Sequence, residues 1–338
     1  MLEKPSLQEE SVLATLYNAY GVRCVQIEFL PLGADLRTAV YRVVAENRTP
    51  YFVKLRSGDF NEITVTLPKF FHDQGTAHII APLVTKTGRL LSRLEDFNLM
   101  LYPFIEGQNG YEVDLSERQW AELGSAFKRI HTTPIPPPLQ QSISHETYTA
   151  KWRDRVKTFL VRDDAQTFTD SIAIELFTLL EAKRGQILTL VERAERLAQE
   201  LQSHTPEFVL CHADIHAGNI LIERNGGFYI VDWDDPIFAP KERDLMFFGG
   251  GLWGRWHTAP EEERLFYQGY GETEINPVAL AYYRYERIVQ DIAVDCDHIL
   301  QTHADHDDRA QSLYYLKSNF LQNSTIELAD KSYPPPKK

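Results

Sequence analysis

Apolar residues recur along this chain at two different periods. Near the start, Val12, Leu13, Leu16, Tyr17 and Tyr20 follow helical spacing, which predicts a helix over residues 1 to 20. Ser11 is placed to cap its later part and Gly21 to end it. Strand-like runs follow at Cys24 to Leu30, Ala39 to Glu46 and Tyr51 to Leu55, joined by turn-rich segments. Consecutive strands with short turns predict an antiparallel sheet. A helix is expected within Asn61 to Phe71, bent or restarted at Pro68, because an interior proline removes a hydrogen bond. Ile79 to Val84 and Gly88 to Leu94 read as further strands, and Phe97 to Gly107 ends the N-terminal part.

Beyond this point the helical period dominates. Ser116-Glu117-Arg118-Gln119 is a capping-box pattern, and Trp120, Leu123, Phe127 and Ile130 fall on one face behind it. Thr133 to Pro138 is a stiff connector. Ser144 to Gln202 and Leu280 to Leu300 read as helical. Between them, Ile220 to Glu223 and Phe228 to Val231 flank Asn225-Gly226, which favours a hairpin turn with positive φ. The pattern predicts an α+β protein, strand-rich at the N-terminus and mainly helical in a larger C-terminal part.

Composition narrows the function. Apolar residues make up 43% and aromatics 12% of 338 residues, enough for a substantial core. A formal charge of −13 argues against a nucleic-acid partner and is compatible with a small cationic substrate. No apolar run approaches the ~18 residues of a membrane span, so no membrane association is expected. The first residues lack signal-peptide features, and three scattered cysteines suit a reducing cytoplasm. His298, His303 and His306 among aspartates lack a ligand geometry and read as an exposed helix end. Gly249-Gly250-Gly251 lacks the strand and Lys-Ser/Thr of a phosphate loop.

The predicted hairpin concentrates the chemistry. It brings Asn219, before its first strand, near Asp232, after its second, with Asp214 five residues upstream of Asn219. One carboxylate can accept a proton from an attacking hydroxyl, while an amide oxygen and a second carboxylate hold Mg²⁺ on phosphates. Lys54 stands alone in an apolar strand and must be solvated or paired. Trp233, Asp234, Asp235 and Glu242, with Trp253 and Trp256, offer carboxylates and aromatic faces to a protonated amine.

His212-x-Asp214-x-x-x-x-Asn219 followed by Asp232 resembles the catalytic loop and metal aspartate of the protein-kinase-like fold. His212 to Ile220 is similar, more narrowly, to the motif of aminoglycoside phosphotransferases. Asp232 to Pro236 and Ala239 to Met246 resemble spectinomycin phosphotransferases most closely. The resemblance implies a bilobal fold, with residues 1–103 as the nucleotide-binding lobe and 104–338 as the catalytic and substrate-binding lobe. It implies ATP and Mg²⁺, Asp214 as base, and Asn219 and Asp232 as metal ligands. Lys54 would position the phosphates with Glu62 as its ion-pair partner, and Gly33 would offer a backbone phosphate contact. Pro103 and Ile105 would meet adenine through backbone groups. His216 stands where kinases often carry a lysine, while His212 and Asp244 brace the loop. The implied reaction is phosphoryl transfer to a hydroxyl of spectinomycin or a similar aminocyclitol. Alternatives are a choline, homoserine or thiosugar kinase of the same fold, a non-catalytic nucleotide-binding module, and a metal-dependent hydrolase using His212, Asp214 and His216.

Overall fold

A computed structural model describes residues 4–32, 37–162, 170–249, 256–300, 306–322 and 324–334. Helix α1 (Glu9–Thr15) runs into a wider π-helical turn over Leu16–Tyr20, and Gly21, at φ 77°, ends it. The helix starts at Glu9, later than the predicted range of residues 1 to 20 begins, and Ser11 lies inside it, not at a cap. Strands β1 (Cys24–Leu30), β2 (Thr38–Ala45), β3 (Pro50–Ser57), β4 (Ser92–Leu94) and β5 (Phe97–Pro103) form one antiparallel sheet in the order β1-β2-β3-β5-β4. Alternation sends Tyr41, Val43, Val53, Leu55, Leu99 and Leu101 to one face, where Val12 and Leu16 cover them. Each such buried side chain contributes roughly 1.5–3 kcal/mol. The opposite face of β3 carries Lys54 and Arg56.

Two expectations change here. Helix α2 (Ile63–Asp73) passes through Pro68 without restarting, and five of its apolar or small side chains besides that proline are buried. Ile79 to Val84 is not a strand: Ile79 makes one bridge to Ile230, and the Leu83 N–H donates to the Leu101 carbonyl at 2.7 Å. Pro82 has no N–H for a ladder. Similarly, only Ser92–Leu94 of the run from Gly88 pairs.

The remaining chain is mainly helical. It comprises β6 (Gly107–Asn109), α3 (Glu117–Thr132), α4 (Pro137–Gln140), β7 (Ser144–His145), α5 (Lys151–Leu160), α6 (Ser171–Ser203), β8 (Val209–Cys211), β9 (Ile220–Glu223), β10 (Phe228–Ile230), β11 (Ile237–Ala239), α7 (Glu242–Leu245), α8 (Ala259–Tyr270), α9 (Pro277–Leu300), α10 (His306–Ser318) and α11 (Thr325–Ser332). The capping box at Ser116 and Gln119 forms as expected. Strands β10-β9-β6 and β7-β11-β8 make two small sheets. Helix α9 packs against α5, α6, α7, α10 and α11, so it is the axis of the larger core. Ile63, Leu67 and Phe71 of α2 join that core and not the one under the sheet. This antiparallel sheet joined to a helical region is the α+β architecture that the pattern predicts.

Candidate active site

The hairpin sets the geometry. Strands β9 and β10 pair Ile220 with Ile230 and Ile222 with Phe228. Residues 224–227 connect them, with Gly226 at φ 93° and the Glu223 N–H bonded to the Gly227 carbonyl at 2.8 Å. The connection is two residues longer than a minimal Asn-Gly turn, but the register is the one needed. The Val231 N–H donates to the Asn219 carbonyl at 3.0 Å, which places Asn219 beside the residue preceding Asp232.

The loop that carries Asp214 is braced from below. His212 and Ala213 donate their backbone N–H groups to the Asp244 carboxylate at 2.9 and 2.7 Å. His131 contacts the same carboxylate at 3.0 Å through Nε2 and the Tyr270 hydroxyl at 2.8 Å through Nδ1. These groups, with buried Cys211, bring potential ligand atoms within 4.8 Å of one another. The carboxylate and imidazole are already hydrogen-bonded within the protein, so the trio is a brace. His212 accepts from the Asp214 N–H at Nδ1, 3.3 Å away, so its Nε2–H donates to the Val231 carbonyl at 3.0 Å. His212 thereby ties the loop to the hairpin.

Asp214 emerges from this frame. Arg287 Nη1 donates to its Oδ1, and its Oδ2 lies 3.7 Å from His216 Nε2. Burial pushes the Asp214 carboxyl up, but the Arg287 charge and hydrogen bond outweigh it and hold the group below the usual aspartate range. The Asn219 amide nitrogen donates to the Asp214 carbonyl at 2.8 Å, which leaves the Asn219 oxygen as the outward acceptor. His216 accepts from the Gly218 N–H at Nδ1, 3.0 Å away. Burial lowers its affinity for a proton, more than the Asp214 charge restores it.

Lys54 faces Asp232 from β3. Its ammonium lies 2.8 Å from Asp232 and 2.9 Å from Asp234, and Arg56 also pairs with Asp234. Asp232 leaves 45% of its side chain open to solvent, so a ligand can reach it. Burial raises the Asp232 carboxyl, yet the Lys54 charge and hydrogen bond bring it down to about 2. Asp234 moves up: burial leads, with the neighbouring Asp232 charge adding to it against Lys54. Asp232 holds a left-handed backbone at φ 64°, a conformation costly for a non-glycine residue.

Several expected residues lie elsewhere. Glu62 is exposed at the start of α2 and pairs with Arg89 at 3.6 Å; Lys54 takes Asp232 and Asp234 as partners in its place. Trp233 is buried against Phe71 and His212, with its indole N–H on the Ile230 carbonyl, because alternation points it away from its two flanking aspartates. It is a core residue, not a substrate face. Asp234 faces the β3 cations and not a substrate pocket. Glu242 is 2% exposed and accepts from the Asn276 N–H at 2.9 Å, so it anchors the entry to α9. Asp235 is exposed. Pro103 ends β5 opposite Tyr51, and the Ile105 N–H has no backbone partner among the described residues. Gly33 and Trp253 lie outside the described residues. Trp256 donates to the Gly110 carbonyl at 2.9 Å.

Helix α9 adds a part of the site that no motif in the sequence marks. A cavity of about 130 Å³ beside Asp214 is lined by Tyr111, His216, Phe247, Arg287, Asp291 and their neighbours. Tyr111 stacks on His216 at 5.9 Å. Arg287, Asp291 and Asp295 recur every fourth residue in an otherwise buried helix, a signal of a charged stripe turned towards something polar.

This chain, with Asp214, Asn219, Asp232 and Lys54 so arranged, has relatives. Residues 28–279 match the phosphotransferase enzyme family, APH. Among solved structures, the spectinomycin phosphotransferase APH(9)-Ia in complex with ADP and spectinomycin is 35% identical, with a TM-score of 0.88 over 97% of this chain and 99% of that one. Its AMP-bound complex gives 0.84 at the same identity, over 96% and 98%. An amicoumacin kinase bound to AMP-PNP and Ca²⁺ shares the fold at 0.62 and 18% identity, over 96% and 94%. Protein StrN of Streptomyces griseus is 24% identical over 229 residues, 64% of this chain and 67% of its own. With its site geometry and these matches across most of its length, the chain belongs to the phosphotransferase enzyme family, as an enzyme with an alcohol group as acceptor.

Proposed function

We propose that this enzyme transfers the γ-phosphoryl group of MgATP to a hydroxyl of spectinomycin or a similar aminocyclitol, and that antibiotic resistance is the outcome. The observation that carries the reading is the meeting of Lys54 and Asp232 across from an Asp214–Asn219 pair tied by a 2.8 Å bond. The 35% identity with APH(9)-Ia, whose complex contains ADP and spectinomycin, supports the acceptor. Residues 1–103 then form the nucleotide lobe and 104–338 the catalytic lobe, working in the cytoplasm.

Asp214 orients the acceptor hydroxyl and takes its proton. The acceptor oxygen gains the bond to phosphorus as the bond from phosphorus to the β,γ-bridging oxygen breaks, and ADP leaves. Asn219 and Asp232 offer the oxygen donors that a hard cation prefers, and the Asn219 amide orientation leaves its oxygen available. Mg²⁺ held there supplies neutralisation of phosphate charge. Lys54, which spans Asp232 and Asp234, is the ammonium that meets the phosphates. The Pro103 carbonyl and Ile105 N–H receive adenine. Tyr111 and Phe247 beside Asp214, with exposed Asp235 nearby in the chain, supply aromatic faces and a carboxylate for a protonated amine.

A panel of spectinomycin, other aminocyclitols, choline, homoserine and a thiosugar, with ADP release as readout, tests this assignment. Turnover is expected to be largest with spectinomycin. A preference for one of the metabolic alcohols would move the enzyme to that class, and turnover of none would remove the acceptor assignment.

A further inference from the structure

We propose that Arg287 of α9 is the positioning residue for the catalytic carboxylate, delivering to Asp214 the fixed positive charge that the catalytic loop itself lacks. The proposal rests on Asp214 being the base. Arg287 reaches Asp214 from 73 residues further along the chain. Its Nη1 donates to Asp214 Oδ1, while its Nε holds Asp291 Oδ1 at 2.9 Å. The guanidinium also lies over the Phe247 ring, 5.8 Å from its centre. One end is therefore anchored on its own helix, and the other is presented to the loop.

The loop cannot supply this charge. His216, two residues after Asp214, is the cation-bearing position of kinases, but its Nδ1 accepts the Gly218 N–H. A ring nitrogen accepting a hydrogen bond carries no proton, so this imidazole is neutral. Its Nε2 remains 3.7 Å from Asp214 Oδ2, too far for a strong bond. The remaining Asp214 contact, from the Asn219 amide to Oδ2, is 3.5 Å. Arg287 thus fixes Oδ1 and leaves Oδ2 without a close partner, free to receive the acceptor hydroxyl. A planar guanidinium gripping two carboxylates at separate nitrogens sets direction as well as charge, which an ammonium does not.

The test compares R287A, R287K and D291N with the wild type, using MgATP and spectinomycin. The account expects kcat of R287A to fall about 100-fold, with KM for both substrates within about threefold, as misplacement of a catalytic group does. R287K should retain about tenfold more kcat than R287A, and D291N should lose less than either, because the charge remains while its anchor goes. Millimolar methylguanidinium should restore part of the R287A rate. ADP affinity by calorimetry and the circular dichroism spectrum should match wild type. The same variants are assayed for MgATP hydrolysis with water as acceptor, where the same ranking is expected whatever the natural alcohol. Loss of the spectinomycin reaction in the wild type alone would overturn the acceptor assignment and leave this ranking to be read on water. The Arg287 proposal is overturned by an R287A kcat within threefold of wild type. It is equally overturned by a rise confined to acceptor KM, or by a loss that neither lysine nor methylguanidinium relieves.

Discussion

The carboxylate of Asp244 holds the catalytic loop in shape. Ala213 sits at φ 73°, a left-handed conformation that costs a non-glycine residue about 1–3 kcal/mol. Two backbone N–H groups and His131 converge on Asp244, which is fully buried, and together they sustain that strain. Asp244→Asn keeps the size but replaces one acceptor oxygen by a donor, leaving a buried N–H opposed. The expected loss of stability is about 2–4 kcal/mol, read as a shifted urea midpoint, with lower kcat in the folded fraction. An unchanged midpoint would contradict the brace. At this scale the sequence was legible where one short segment set the geometry: the hairpin brings Asn219 beside the residue preceding Asp232, with Asp214 bonded to Asn219 on the same loop. It failed where side-chain direction decided. Trp233 turns inward between two outward aspartates, Glu242 is consumed by the start of α9, and Glu62 faces Arg89. Residue type near a motif does not report which way the side chain points.

Among the elements, the crossing of α3 and α8 sets the brace. Gly124 and Gly269 let these helices approach so closely that a Cβ on Gly269 would meet the Ala121 carbonyl oxygen at 1.7 Å, and one on Gly124 the Phe266 carbonyl at 2.1 Å. His131 at the end of α3 thereby reaches Tyr270 at the end of α8. Gly269→Ala must push the helices apart, with an expected cost of at least about 1–3 kcal/mol in thermal or urea unfolding. A neutral effect would mean that the contact is not tight. Strand positions in the N-terminal sheet and the Ser116 cap were legible because local alternation and capping chemistry decide them. The fate of 79–84 was not, since its apolar content points to a strand while Pro82 withholds an N–H. Arg287 was invisible as a site residue for a further reason: its partner lies far away in sequence, and only the fold joins them.

Across the whole molecule, α9 carries charge through the larger core. Asp291 and Asp295 share a face with Arg287, and after Arg287 the charges of Asp214 and then Arg243 of α7 act on Asp291. Burial, then the Asp291 charge, pushes the Asp295 carboxyl up to about 8, from an ordinary 3.8. The folded protein holds a proton that the unfolded chain releases near its ordinary value. The stabilising contribution is therefore full below pH 3.8 and is lost as pH rises through about 8. Asp295→Asn keeps the side chain neutral and should flatten that decline, adding on the order of 1–3 kcal/mol at pH 9 with little change at pH 4. Urea unfolding at the two pH values reads this directly, and equal effects at both would refute the burial argument. A net charge of −13 adds general repulsion at high pH, which the Asp295→Asn comparison cancels to within one charge.

Under the proposed function, Asp214 drives phosphoryl transfer to an aminocyclitol hydroxyl. Mass spectrometry of spectinomycin after incubation with MgATP and enzyme measures it most directly. Wild type should yield spectinomycin heavier by one phosphoryl group, and Asp214→Asn should slow its formation about 100-fold or more while still binding ADP. Unmodified spectinomycin with the wild type, or full conversion by Asp214→Asn, would contradict the account.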